Sequence, residues 1–226
     1  MTIARNDESP VFESIGQALH VSFMVTANEA RQGGPLRKAL IQMMDQQRTL
    51  TSNQRDWMNQ LIGEKSEGTV DFSGLTADEI HGQCAMVTQI VKDHLTEPEM
   101  HAIRARFIPT AMEEIGRDDG RPVYRYYFSQ DRVNSLMWLS QWIAPNFAGI
   151  NRFLLDHLVT RTFAERREVR HTFRDLADRL GGNHMTYARL HPKVAAHLQS
   201  IELQALMRLM PLFQRTGLIA RVTETC

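Results

Sequence analysis

With two cysteines in 226 residues, the chain has no material for a disulfide framework. Cys84 falls inside an apolar helical pattern and Cys226 is the last residue. No apolar run approaches the roughly 18 residues of a transmembrane span. The first ten residues, MTIARNDESP, lack the apolar core of a secretory signal. A cytoplasmic protein that does not enter membranes is the simplest expectation. No Gly-rich phosphate loop is present, and no internal repeat, low-complexity tract or long linker interrupts the chain. Net charge is lacking too, with 26 Lys+Arg against 26 Asp+Glu.

The charge is unevenly distributed. From Arg161 to Cys226 there are 11 Lys+Arg against 6 Asp+Glu, and the first 160 residues carry the complementary acidic excess. A basic terminal module behind an acidic body suits an anionic partner.

Helical signals dominate. VFESIGQALHVSFMVTANEARQ ends at Gly33-Gly34-Pro35, and PLRKALIQMMDQQRTL places Leu36, Leu40 and Met43 on one face. A shorter helix holds Trp57, Leu61 and Ile62. Thr76 and Glu79 stand at capping-box spacing before a stripe of Ile80, Cys84, Val87, Val91 and Leu95. Thr96 and Glu99 repeat the signature, followed by Met100, Ile103 and Phe107. Thr110 and Glu113 suggest the cap of a third short piece, ended by GRDDGRP. VYRYYF, from Val123 to Phe128, is the one convincing strand candidate, so at most a short β-hairpin near 122–128 is expected. RVNSLMWLSQWIAP and FAGINRFLLDHLVTRTF return to helical spacing. The expected fold is mostly α: a helical body over 1–147, for partner binding or dimerisation, and a C-terminal module over 148–226.

The most informative stretch is HTFRDLADRLGGNHMTYARLHPKV, from His171 to Val194. Thr172 and Asp175 stand at capping-box spacing, so a helix starts at Phe173 with Phe173, Leu176, Ala177 and Leu180 inward. Gly181 suits a left-handed cap. Asn183 can cap a second helix with Tyr187 and Leu190 inward, which Pro192 limits or follows with a new start. This segment resembles the helix-turn-helix family of DNA-binding domains. Ala177 matches the small residue at the helix crossing, and Gly181 matches the turn glycine four residues later. Gly182 departs from the family, which usually carries an apolar residue packed under the turn. The resemblance implies a double-stranded DNA partner. Asn183, His184, Thr186 and Arg189 would reach base edges, arginine gripping guanine and asparagine adenine. Arg166, Arg167, Arg170, Thr172, Arg174 and Lys193 would contact phosphates.

A second resemblance covers LTEPEMHAIRARF, from Leu95 to Phe107, which looks like the helix preceding the helix-turn-helix in sigma-factor region 4 proteins. Some phage late-gene antiterminators resemble that region and carry insertions. The resemblance implies a phage or prophage transcription regulator, with RNA polymerase or another transcription protein as partner.

Other signals are weaker. Nine histidines form no His-x-x-x-His or Cys-x-x-Cys arrangement, so neither a metal nor another cofactor is expected. Glu113, Glu114, Asp118 and Asp119 could hold magnesium in a nuclease, but they alternate with Arg117 and Arg121 as in a solvated loop. Asp156-His157 has no evident nucleophile, and nothing demands an enzyme. In VAAHLQSIELQALMRLMPLF, Val194, Leu198, Ile201, Ala205 and Leu209 form one apolar stripe. Leu203, Leu206, Met210 and Phe213 form another, either buried or a homodimer seam, and Pro211 should end or kink the helix. The expected function is sequence-specific DNA binding by a transcription regulator. The rival is a helical protein-interaction or assembly factor using the same corner as scaffold.

Overall fold

The computed structural model describes residues 11–27, 77–118, 121–165, 168–169 and 171–220; for 77–79, 111–114, 118, 121, 122, 124 and 126 it describes the backbone alone. The helices expected over 35–50 and around 57–62, and the cap at Thr76, lie outside these residues. The described fold is mostly helical, and no described helix is long and apolar enough to cross a membrane. The chain divides into two compact units, one of residues 1–94 with 207–226 and the other of residues 95–206.

In the first unit, α1 (Ile15–Ala27) packs against α2 (Ala77–His94). Helix α1 buries Leu19, Val21, Phe23, Met24 and Val25 around most of its circumference, as a helix inside a core must. Cys84, Val87 and Val91 supply the buried stripe of α2. Burial pushes the Cys84 thiol up to about 11, which leaves it a small apolar core residue rather than a nucleophile. Before the helix Phe12 forms a parallel bridge with Ile219, and its N–H donates to the Leu218 carbonyl at 2.9 Å.

The second unit contains α3 (Glu97–Phe107), a hairpin of β1 (Thr110–Asp118) and β2 (Arg121–Phe128), α4 (Gln130–Ile143), a 3-10 turn (Ala144–Phe147), α5 (Arg152–Phe163) and α6 (Phe173–Leu180). The long helix α7 (His184–Arg215) begins here, and the boundary between the units falls within it. Ala102 and Ala105 of α3, Leu136, Leu139 and Ile143 of α4, and Leu154, Leu155, Leu158 and Val159 of α5 share one core with Leu176, Tyr187, Val194 and Leu198. The domain boundary expected at 147/148 therefore falls inside one unit, because α4 and α5 bury their apolar faces in the same core.

Three expectations need correction. The segment from Thr110 is a strand, not a capped helix, and it pairs with Arg121–Phe128 from Thr110 opposite Phe128 to Asp118 opposite Arg121. A bulge between Glu114 and Gly116 shifts the register, and Ile115 is left exposed. Pro192 and Pro211 end nothing: α7 runs 32 residues through both. Each proline removes one helix hydrogen bond. Both lie on exposed positions, where water can satisfy the freed carbonyls, while Val194, Leu198, Ala205 and Leu209 hold the helix by burial. The second stripe on α7 is split, since Phe213 is fully buried whereas Leu203 and Met210 are exposed.

Candidate nucleic-acid interface

The corner between α6 and α7 is built from its ends. The Thr172 N–H and hydroxyl both donate to the Asp175 carboxylate at 2.7 and 2.9 Å, and the Asp175 N–H returns to the Thr172 hydroxyl at 3.2 Å. These bonds hold the Asp175 carboxyl below the usual carboxylate range. Helix α6 then presents Leu176 to the core, with Phe173, Ala177 and Leu180 packed partly against it.

The turn is Gly181-Gly182-Asn183. Gly181 takes φ 77° and ψ 174°, not the left-handed helical cap expected from the sequence. That region is even more exclusive to glycine, because a Cβ would collide with the chain's own backbone. Gly182 follows at φ 91°. A Cβ there would lie 3.0 Å from the Tyr187 hydroxyl. Tyr187 is buried and its hydroxyl donates to the Gly181 carbonyl. The Tyr187 ring, supplied from α7, therefore packs against the turn at Gly182 and leaves no room there for a side chain. Gly182→Ala is expected to cost about 1–3 kcal/mol in urea unfolding, from backbone strain plus the crowded hydroxyl.

The Asn183 side-chain oxygen accepts from Met185 N–H at 2.8 Å and caps α7. Its amide N–H groups remain as donors, but only one lone pair of the oxygen is left, which weakens a bidentate adenine contact. Arg174, Asn183 and His184 line one cleft of about 370 Å³, together with Ala177, Asp178 and Gly182. Thr186, Arg189 and Lys193 are exposed on α7 and lie on a common flank at spacings of three and four. At 100° per residue, that flank at Arg189 is turned about 140° from His184. The residues expected at base edges therefore fall in two groups, with His184 half-buried and Asn183, Thr186 and Arg189 exposed. Thr172 is committed to its cap, so a phosphate contact would have to compete with Asp175. Arg166, Arg167 and Arg170 lie outside the described residues.

Elsewhere, Asp156 accepts from the Ser140 hydroxyl and pairs with Arg152 at 3.4 Å, while His157 meets His171 edge to face at 5.9 Å. Burial, then the neighbouring His171, holds the His157 imidazole below its ordinary value. Among the described residues no group of three or more His, Cys, Asp or Glu is placed to hold a metal ion. Glu113, Glu114 and Asp118 lie on β1, and Asp119 is outside the described residues.

Sequence reasoning missed a polar knot around Arg132. The Arg132 guanidinium donates to the carbonyls of Ala105 (3.0 Å) and Phe163 (2.9 Å), to the Thr110 hydroxyl (2.5 Å) and to Glu168 (3.2 Å). It also stacks over Phe128 at 4.5 Å. Glu168 accepts from the Thr110 hydroxyl and from Glu165 N–H at 2.8 Å. One side chain thus ties α3, the hairpin, α4 and the segment after α5. The signal available was Arg132 in step with the apolar stripe Leu136, Leu139 and Ile143.

No protein-family model matches the chain, and comparison with curated proteins finds no match either.

Proposed function

We propose that the chain is a sequence-specific double-stranded DNA-binding transcription regulator that presents the α6–turn–α7 corner to DNA. The observation that supports this reading most is the corner itself. A capped short helix, a glycine turn and a second helix leave Arg174, Thr186, Arg189 and Lys193 exposed, with no acidic partner for any of them among the described residues. An anion at the cleft would meet Arg174 and the N-terminus of α7, both favourable to phosphate. On this reading Arg189, exposed on the flank of the same helix, would read a base. The phage origin and a contact with the transcription machinery rest on the sequence resemblance alone.

Selection of bound fragments from random double-stranded DNA, followed by salt titration of the winners, tests the reading. A recovered motif with affinity falling steeply with salt supports it. Retention of no sequence above background at low salt removes it.

Mutation should then separate the two kinds of contact. Arg174→Ala is expected to weaken preferred and random DNA alike and to reduce the salt slope by about one unit. Arg189→Ala should cost about 1–3 kcal/mol on the preferred sequence and little on random DNA. Indistinguishable loss profiles would contradict the assigned roles.

A further inference from the structure

A second cavity is bounded by the hairpin, α4, α5, the segment leading into α6 and Leu176 of α6 itself. It measures about 810 Å³, within the range that holds small organic ligands. Ile115, Tyr127, Phe128, Val133, Val169 and Leu176 give it an apolar wall. Two arginines, Arg125 from β2 and Arg161 from α5, also line it. The acidic lining residue, Glu168, is occupied by Arg132 and the Thr110 hydroxyl. Neither Arg125 nor Arg161 has an acidic partner among the residues whose side chains are described.

Arg161 is held in place without being neutralised. One of its terminal N–H groups donates to the His171 carbonyl at 3.1 Å, and its guanidinium lies 4.3 Å from the Phe173 ring centre. That leaves most of its donors for a planar acceptor, and a guanidinium matches a carboxylate in two parallel hydrogen bonds. A doubly charged phosphate fits less well. Thr160, Arg161 and Ala164 belong to the last turn and C-cap of α5, where the helix carbonyls carry partial negative charge. An apolar wall with two arginines that meet no acidic group among the described side chains suits a carboxylate on an apolar body.

We propose that this cavity binds a small organic monocarboxylate, its carboxylate on Arg161 and Arg125 and its hydrocarbon or aromatic body against the Tyr127–Leu176 wall. The site is independent of the DNA reading, because occupancy is measured on the protein alone. Leu176, which lines the cavity, is also the buried anchor of α6, so a ligand here touches the helix that starts the corner.

The test is calorimetric and thermal titration of the full chain with octanoate and with 3-phenylpropionate, against 1-octanol, octylamine and inorganic phosphate. The expected result is saturable binding of a carboxylate with a raised thermal midpoint, at least tenfold tighter than any of the three controls. Arg161→Gln should weaken it at least tenfold. Because Arg161 also holds the His171 carbonyl, Arg125→Gln serves as the second variant: it lies on the exposed hairpin strand and should weaken binding severalfold with circular dichroism unchanged. Equal affinity for 1-octanol would mean a merely apolar hole, and tighter binding of phosphate would mean a different ligand class. Absence of saturable carboxylate binding, or full affinity in folded Arg125→Gln and Arg161→Gln, would also overturn the proposal.

Discussion

Arg132→Met is expected to lower unfolding free energy by about 3–5 kcal/mol, the usual penalty for breaking a buried ion pair by removing one partner. Both side chains of the Arg132–Glu168 pair are only 4% exposed. Methionine retains much of the aliphatic stem, so the loss isolates the guanidinium. It leaves the Glu168 carboxylate buried without its counter-charge and deprives the Ala105 and Phe163 carbonyls of their donor. The double variant Arg132→Met with Glu168→Leu should recover at least half of the loss, since no unpaired charge then remains in the core. Urea unfolding of the three proteins, followed by far-ultraviolet circular dichroism, provides the measurement. A single-variant loss below about 1 kcal/mol, the range of ordinary surface substitutions, would mean that the knot is solvated.

Tyr187→Ala should have an effect of similar size, about 3–5 kcal/mol, as large aromatic truncations in cores do. The ring contributes to the core beside Leu176 and Val194 and lies against Gly182, and its hydroxyl holds the Gly181 carbonyl. Tyr187→Phe keeps the ring and removes only the hydrogen bond, so about 1 kcal/mol should go. The pair of variants separates packing from polar closure of the turn. Under the DNA reading, Tyr187→Ala should also reduce DNA affinity in the fraction that remains folded, because the angle between α6 and α7 loses its wedge. Equal stability of Tyr187→Ala and Tyr187→Phe would show that the ring does not support the turn.

Local signals with a stereochemical cause were legible. Thr172 with Asp175 marks the start of α6, and Thr96 with Glu99 marks that of α3, because a short side chain and a carboxylate three residues later satisfy backbone donors nothing else can reach. Paired glycines mark the turn at 181–182, since few other residues tolerate that backbone. The stripe Cys84, Val87 and Val91 names its buried face by spacing alone. The strand at VYRYYF was legible for the same kind of reason, through its run of β-branched and aromatic residues.

Its partner strand was not. TAMEEIGRD has no strand-like alternation, and its pairing with RPVYRYYF comes from cross-strand hydrogen bonds and a bulge rather than from its own propensity. Pro192 and Pro211 misled for a related reason: proline penalises a helix by a fixed local amount, and burial of a long apolar face can exceed it.

What the sequence determined by itself was therefore the set of elements whose ends or faces are settled within one helical turn: most of the described helices, the glycine corner, and the exposed basic residues on its second helix. Tertiary structure alone decided what depends on groups far apart in the chain. Arg132 meets Glu168 across 36 residues, Arg106 meets Glu202 across 96, and the cavity draws Arg125 and Arg161 from different elements. A buried charge is stable only where the rest of the fold supplies its partners, and nothing in a local window of sequence records which partners those will be.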